Sequence, residues 1–534
     1  MTHRNYFLYL GLILLLALAV QVGMFDSGLY RLTSDESARI LTAWHLTGSN
    51  ALEPFLWPPF YKLFVGSALK LYPSIFLTPR ILVCITGLFS LLSLVWLTTA
   101  LFHDRRISLI AAFLALLAPH RLLFSVVPLS DIYYFFFIVS AATLVLRWLR
   151  SERARPLLGA CACMLLAESV RFEAGLFAVF LEILLIYRGL IRRDLPFVTL
   201  CVSSLILFIF PALWALNSYL WYGSLSNINV ASQQFVGEFG RNYAYAIKWS
   251  PLRFFVQDMI WNPLTVPGLA AVIWLSVRDR AIRTWTLLFA VPLLVFSLYT
   301  VLTFSIPTAA TWRTSGVWTL MMLPFDAFVA WRIGTILVGS IRAPRPVLAM
   351  LLLFAILPMG VRSLWYRHDG LRNNETLLAH QEYKLDAYLD LQLASSPGSM
   401  VLIDSSSNLD YLDLLAFSRF PDRLILTAAG DPVQIGFYEP MRHAYDGRSD
   451  VSAFLTDRFN LEHGGILKML VAHHIRLVVV RDRAIVGAMN ASLLVTPVQY
   501  YNDWTVYGVK PTGLPTQLLS GAVIEPTPPP HNAS

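Results

Sequence analysis

Eleven apolar runs, each suited to a helix, fall along the first 362 residues of this 534-residue chain, near 6–25, 80–102, 107–119, 131–149, 156–170, 173–190, 195–221, 263–278, 284–303, 315–332 and 346–362. About twenty apolar residues in helical form cross a hydrocarbon core of roughly 30 Å. So many such runs in series leave a polytopic helical membrane protein as the natural fold. Composition agrees: only 14% of the residues are charged, against about 25% in soluble domains, and the mean hydropathy is +0.59. The opening run "YFLYLGLILLLALAVQVGMF" lacks the small-residue cleavage site of a signal peptide, so it reads as a retained first helix. Cys84, Cys161, Cys163 and Cys201 all lie inside apolar runs. There they read as small core or lipid-facing residues, forming neither a disulfide framework nor a metal site.

The net charge of +8 is informative through its distribution. Every second connection is a compact basic cluster: "HDRR" at 103, "RWLRSERAR" at 147, "RGLIRRD" at 188, "RDRAIR" at 278 and "WRIGTILVGSIRAPRP" at 331. Basic residues collect on the cytoplasmic side of a membrane. The charge therefore reports topology, and no nucleic-acid partner is inferred from it. The alternate connections (26–79, 120–130, 168–173, 222–262, 304–314) and everything after 362 then face the outer compartment. That arrangement closes only if "FLWPPFYKLFVGSALKLY", residues 55–72, dips into the outer interface without crossing, which its aromatic and basic content permits. An ordinary second crossing is the alternative.

Beyond 363 no spanning run remains. "MVLIDSSS", "RLILTAA" and "IRLVVVRD" read as short buried strands, "LDYLDLLAF" and "DRFNLEHGGILKMLVAHH" as helices between them, and "VQYYNDWTVYGVK" as a closing hairpin. Residues 363–534 thus form an outer-facing soluble α/β domain with a disordered tail, "EPTPPPHNAS", and residues 1–362 a transmembrane domain with an outer loop at 26–79. No phosphate-cradling glycine loop occurs, which argues against a nucleotide-driven cytosolic enzyme.

The outer connections gather a polar set: Asp35, Glu36 and Arg39; Lys62; His120, Arg121 and Asp131; Glu168, Arg171 and Glu173; and Arg313. Charge near membrane depth costs about 2.5–3.5 kcal/mol at a helix centre and less near its ends. Solvated helix termini would account for many of these residues singly. Asp131 opens a helix, where a carboxylate is favoured as a cap, and Arg171 and Glu173 can neutralise each other across a short break.

The order of these features resembles the GT-C superfamily of membrane glycosyltransferases, especially the branch similar to protein O-mannosyltransferases and lipid A aminoarabinose transferases. The resemblance lies in the acidic pair of "SDESARIL", the Pro-Pro segment "WPPFYKLF", the run "PRILVCITGLFSLLSLVWLTTALF", the second acidic motif "APHRLLFSVVPLSD" and the late arginine of "TWRTSGVWTLMMLPF". It covers residues 5–190 well and 300–330 weakly. Three positions depart from the family pattern: Ser37-Ala38-Arg39 follows the acidic pair, Trp57 precedes Pro-Pro, and Thr314 follows Arg313.

With the eleven apolar runs, the fold expected is a GT-C-like bundle of about eleven transmembrane helices. The resemblance implies an inverting transfer of sugar from a polyprenyl-phosphate carrier to an acceptor hydroxyl of a lipid, a cell-envelope glycan or a protein, at the outer face of the plasma or inner membrane. Asp35 is then the general base, with Glu36 orienting it or binding acceptor hydroxyls. Arg313, Lys62 and Arg171 face the leaving phosphate, and Phe60 and Tyr61 hold the carrier. Asp131 could hold a divalent ion or position another residue, with Glu173 and His120 in support. A glycolipid transporter or flippase, or a non-catalytic assembly scaffold, are the alternatives. The transporter reading is weakened by charges that gather at one membrane face and by hydropathy without repeated halves.

Overall fold

A computed structural model of the chain describes residues 2–31, 35–46, 57–223, 225, 256, 259–260, 262–303, 312–341, 357, 361, 375–405, 411–426, 470, 474–492, 495–501 and 503–510. The chain divides into two compact units, Met1–His380 and Gln381–Ser534.

The first unit is helical. Helix α1 (His3–Asp26) is followed by the short α2 (Asp35–Trp44) and α3 (Phe60–Leu71), then by α4 (Leu77–Phe102), α5 (Arg105–Leu117), α6 (Pro119–Phe124), α7 (Asp131–Ser151), α8 (Ala154–Val170), α9 (Ala174–Ile186), α10 (Phe197–Tyr222), α11 (Thr265–Arg278), α12 (Arg280–Thr303) and α13 (Trp312–Ile341). Among the described residues five helices are long and apolar enough to cross a membrane unaided: α1, α4, α7, α10, and α9 with the π-helical turn that extends it to Ile191. The run expected at 107–119 is broken where Ala118 turns extended before Pro119, which opens α6. The run at 315–332 continues to Ile341, through part of the stretch expected as a basic turn. Its residues there are mostly apolar, and Arg332 folds its guanidinium back over the Phe328 ring, 5.3 Å away. The run at 346–362 lies almost wholly outside the described residues.

At one end of this bundle the basic connections meet. Arg150 Nη1 lies 3.0 Å from His103 Nε2, and its Nη2 lies 3.2 Å from Asp279 Oδ2. Arg188 bridges Glu152 at 3.0 Å and Asp194 at 2.9 Å. His103, Glu152 and Arg193 each adopt a positive φ, between 55° and 57°, the left-handed step that ends or reverses a helix. Between the two ends runs one apolar core. It includes Leu94, Leu114, Phe135, Leu146, Trp148, Phe289 and Leu320, and Trp285 donates its indole N–H to the Ala142 carbonyl at 2.8 Å.

The second unit carries a five-stranded sheet ordered β2-β1-β3-β5-β4. Helix α14 (Glu375–Ser395), whose first turns belong to the first unit, precedes β1 (Met400–Ile403); α15 (Tyr411–Phe417) leads to β2 (Leu424–Leu426); β3 (Ile475–Val480), α16 (Arg483–Ala491), β4 (Val495–Tyr501) and β5 (Trp504–Val509) follow. Strands β1, β2 and β3 are parallel and nearly continuous in apolar character, as strands covered on both faces are. β4 and β5 close the sheet as an antiparallel hairpin. Asp404 Oδ2, just beyond β1, accepts the backbone N–H groups of Arg481 and Asp482 at 3.1 and 2.8 Å, tying the ends of β1 and β3 together. The helix expected at 457–474 falls outside the described residues apart from Leu470 and His474.

Candidate active site

The residues singled out by sequence lie at the end of the first unit opposite the basic connections. Asp35 and Glu36 form the first turn of α2, where a helix N-terminus favours negative charge. Asp35 is half-buried, whereas Glu36 is 1% exposed. One turn on, Arg39 is buried and its guanidinium stacks 4.5 Å over the ring of Trp57, the residue that precedes the Pro-Pro pair.

Pro59 precedes the first turn of α3, whose twelve residues reach only about 18 Å, too short for a crossing. Its aromatic side chains face α7: Phe60 packs at 5.6 Å and Tyr61 at 6.2 Å from the Tyr133 ring. The Tyr61 hydroxyl is buried and donates to the Pro128 carbonyl at 2.7 Å. Burial pushes that hydroxyl's pKa up; the nearby charges of Arg39 and Arg80 oppose the rise, and Glu36 adds to it. Tyr61 therefore sits among the acidic helix, the start of α4 and the segment leading to Asp131. Lys62, beside it, is half-buried.

Asp131 opens α7, but its carboxylate makes a longer-range bond than a cap. Arg171, from the turn joining α8 to α9, donates Nη1 to Asp131 Oδ1 at 2.5 Å. The same guanidinium gives Nη2 to Glu173 Oε1 at 2.5 Å and Nε to Glu173 Oε2 at 3.2 Å. All three side chains are at least 85% buried, and the Tyr134 ring lies 5.8 Å from the guanidinium carbon. Burial alone would push the Glu173 carboxyl up; the charge and hydrogen bonds of Arg171 outweigh it and hold the group below the usual range. Arg171, expected at the leaving phosphate, is thus engaged with two carboxylates.

His120 on α6 is buried against α13. A Cβ placed on Gly316 would come within 2.5 Å of Phe135 Cζ and 3.2 Å of His120 Cβ, so this close approach requires glycine. It seats the first turn of α13, which contains Arg313, beside α6 and α7. The Arg313 side chain is outside the described residues.

Three polar residues escaped the sequence reading. Arg80 is 5% exposed and donates to the carbonyls of Phe76, at 2.6 Å, and Tyr30, at 3.1 Å, fixing the linker that leads to Asp35. Arg31, on that linker, is 2% exposed. Asp326 lies buried within α13, bonded to Asn262 at 2.7 Å, and an acid alone in "LMMLPFDAFVAW" was the available signal. A groove of 340 Å³ between α1 and α5, lined only by Tyr9, Phe113 and aliphatic side chains, offers no comparable chemistry.

Two solved structures of other proteins share this fold. ArnT from Cupriavidus metallidurans matches with a TM-score of 0.59 over 94% of this chain and 97% of its own, at 14% identity. The oligosaccharyltransferase of Archaeoglobus fulgidus matches with a TM-score of 0.51 over 90% of this chain and 70% of its own, also at 14% identity. At such identity the likeness is one of fold. Comparison with protein-family models and with curated protein sequences returns no match.

Proposed function

We propose that this chain is an inverting glycosyltransferase that moves a sugar from a polyprenyl-phosphate carrier to an acceptor hydroxyl at the outer membrane face. The observation that carries the reading is a half-buried Asp35 at the head of α2, in a helical unit whose neighbouring helix α3 is held by the Tyr61 hydroxyl to the Pro128 carbonyl, just before the acidic start of α7, within a fold like that of ArnT. In the reaction, the acceptor oxygen attacks the anomeric carbon from the face opposite the carrier. The bond from that carbon to the phosphate oxygen breaks, and Asp35 takes the acceptor proton. Proton removal by a positioned carboxylate contributes about 10²- to 10⁴-fold.

Glu36, buried behind Asp35, orients it or meets acceptor hydroxyls. Lys62 and Arg313 stabilise the charge that grows on the departing phosphate, the forked guanidinium being suited to two phosphate oxygens. Phe60 and Tyr61 shape the seat of the first isoprene units. The first unit is read as spanning the plasma or inner membrane about eleven times, with residues 363–534 in the outer compartment. The acceptor is a lipid, a cell-envelope glycan or a protein.

The test is transfer of radiolabelled sugar from a polyprenyl-phosphate donor by the purified chain, with mass analysis of glycolipids in a deletion strain to identify sugar and acceptor. Transfer that Asp35→Asn abolishes is the expected result. Carrier movement across vesicles without sugar transfer would overturn the reading in favour of a transporter.

A further inference from the structure

The acidic start of α7 raises the question of a divalent cation held by Asp131, and the geometry answers it in an unexpected way. A magnesium or calcium ion takes six or more oxygen ligands at about 2.0–2.6 Å, with carboxylates supplying the charge. Here Oδ1 of Asp131 and both carboxylate oxygens of Glu173 point at one guanidinium, at 2.5, 2.5 and 3.2 Å. Among the described residues no group of three His, Cys, Asp or Glu side chains converges to hold a metal ion. The residues present do not fit the ion, because the space between the two carboxylates already holds a cation that the chain supplies.

We propose that Arg171 is the permanent counter-ion of this acidic turn, so that Asp131 and Glu173 bind no divalent metal and sugar transfer proceeds without one. The arginine suits the task for three reasons. Its charge is not lost at any physiological pH, its planar fork can address two carboxylates at once, and it is weakly hydrated enough to be buried. The α8–α9 turn also differs from a diffusible ion in being covalently attached. It fixes Asp131 relative to Glu173 by bonds along the chain as well as by charge, and the Tyr134 ring packs near the guanidinium.

The test uses the full-length purified chain, stripped with EDTA and dialysed. Mn²⁺ is titrated while free ion is followed by its paramagnetic resonance signal, and sugar transfer is measured in the presence of EDTA. The expected result is a wild-type titration indistinguishable from that of Asp131→Asn, and a turnover within twofold of the untreated protein. Stoichiometric Mn²⁺ binding that Asp131→Asn removes would overturn the proposal, as would turnover lost to EDTA and restored by Mn²⁺. The activity arm rests on the glycosyltransferase reading and the binding arm does not. A chain that transfers no sugar yet shows no Asp131-dependent Mn²⁺ site would defeat that reading and leave this one standing.

Discussion

The Tyr61 hydroxyl donates to the carbonyl of Pro128, 67 residues further along the chain, in a bond of 2.7 Å between fully buried groups. It fastens the interfacial helix α3 to the segment that leads into Asp131. Deleting the hydroxyl strands the carbonyl, at a cost of about 1–3 kcal/mol. Tyr61→Phe should lower the thermal unfolding midpoint of the detergent-solubilised chain. Phe60→Ala with Tyr61→Ala should in addition raise the donor KM more than the acceptor KM in a transfer assay. Equal changes in both KM values would remove the carrier from this helix.

Asp35→Asn keeps the side-chain shape and deletes its proton-accepting charge. Turnover should fall about 10²- to 10⁴-fold while donor binding, measured by equilibrium titration, stays near wild type. Arg313→Ala should instead weaken donor binding and rate together. Near-normal turnover in Asp35→Asn would pass the role of base to Glu36 or Asp131.

Removing one member of a buried ion pair leaves a charge uncompensated, typically at about 3–5 kcal/mol. Arg171→Ala takes the shared guanidinium from both Asp131 and Glu173, so it should destabilise more than Asp131→Asn does, as read by chemical unfolding. Arg171→Lys keeps the charge without the fork and should fall between them. Added guanidinium ion should recover part of the rate lost in Arg171→Ala.

In the second unit, Asp386 on α14 is 2% exposed. Burial pushes its carboxyl well above the ordinary range; Asp390 adds to the rise and Arg419 opposes it. A folded-state value raised above the unfolded one, about 3.9, favours the folded state fully at pH below the unfolded value. That contribution is lost as pH rises through the folded value. Asp386→Asn should therefore gain stability over wild type progressively as the buffer is made more alkaline, in paired thermal melts of the full chain. A constant difference across pH would show that this carboxyl does not titrate with unfolding.

Single cysteines placed at Ser49 and Ser449 in a cysteine-free background should react with an impermeant maleimide from outside, and one at Ser151 should not. Ser151 ends α7 among the clustered basic connections; the other two lie outside the described residues. Labelling at Ser151 alone would invert the orientation.

Most of the long described helices were readable in advance because apolar runs are local signals. The sheet strands were readable because "MVLI" and "LVVV" are continuous apolar runs between turns. What escaped is non-local. Asp131 and Arg171 stand forty residues apart, and sequence could pair Arg171 only with its neighbour Glu173, so the guanidinium was assigned to a phosphate. Arg80 merely opens the apolar run at 80–102 in sequence, since its bonds to Tyr30 and Phe76 depend on how the preceding linker folds back. The extension of α13 to Ile341 was hidden because Arg332 resembles a helix end until its stem is seen lying along the helix surface.

Gly316 takes no part in any bond that would make or break a sugar linkage, yet the spacing between α13 and its neighbours depends on it. A methyl group there would collide with Phe135 and crowd His120, and the buried phenyl ring has nowhere to swing. The helix would have to tilt or slide, carrying the turn that contains Arg313 with it. The seat of α13 against α6 and α7 is therefore metered by a single hydrogen atom, at a position with no side chain to react.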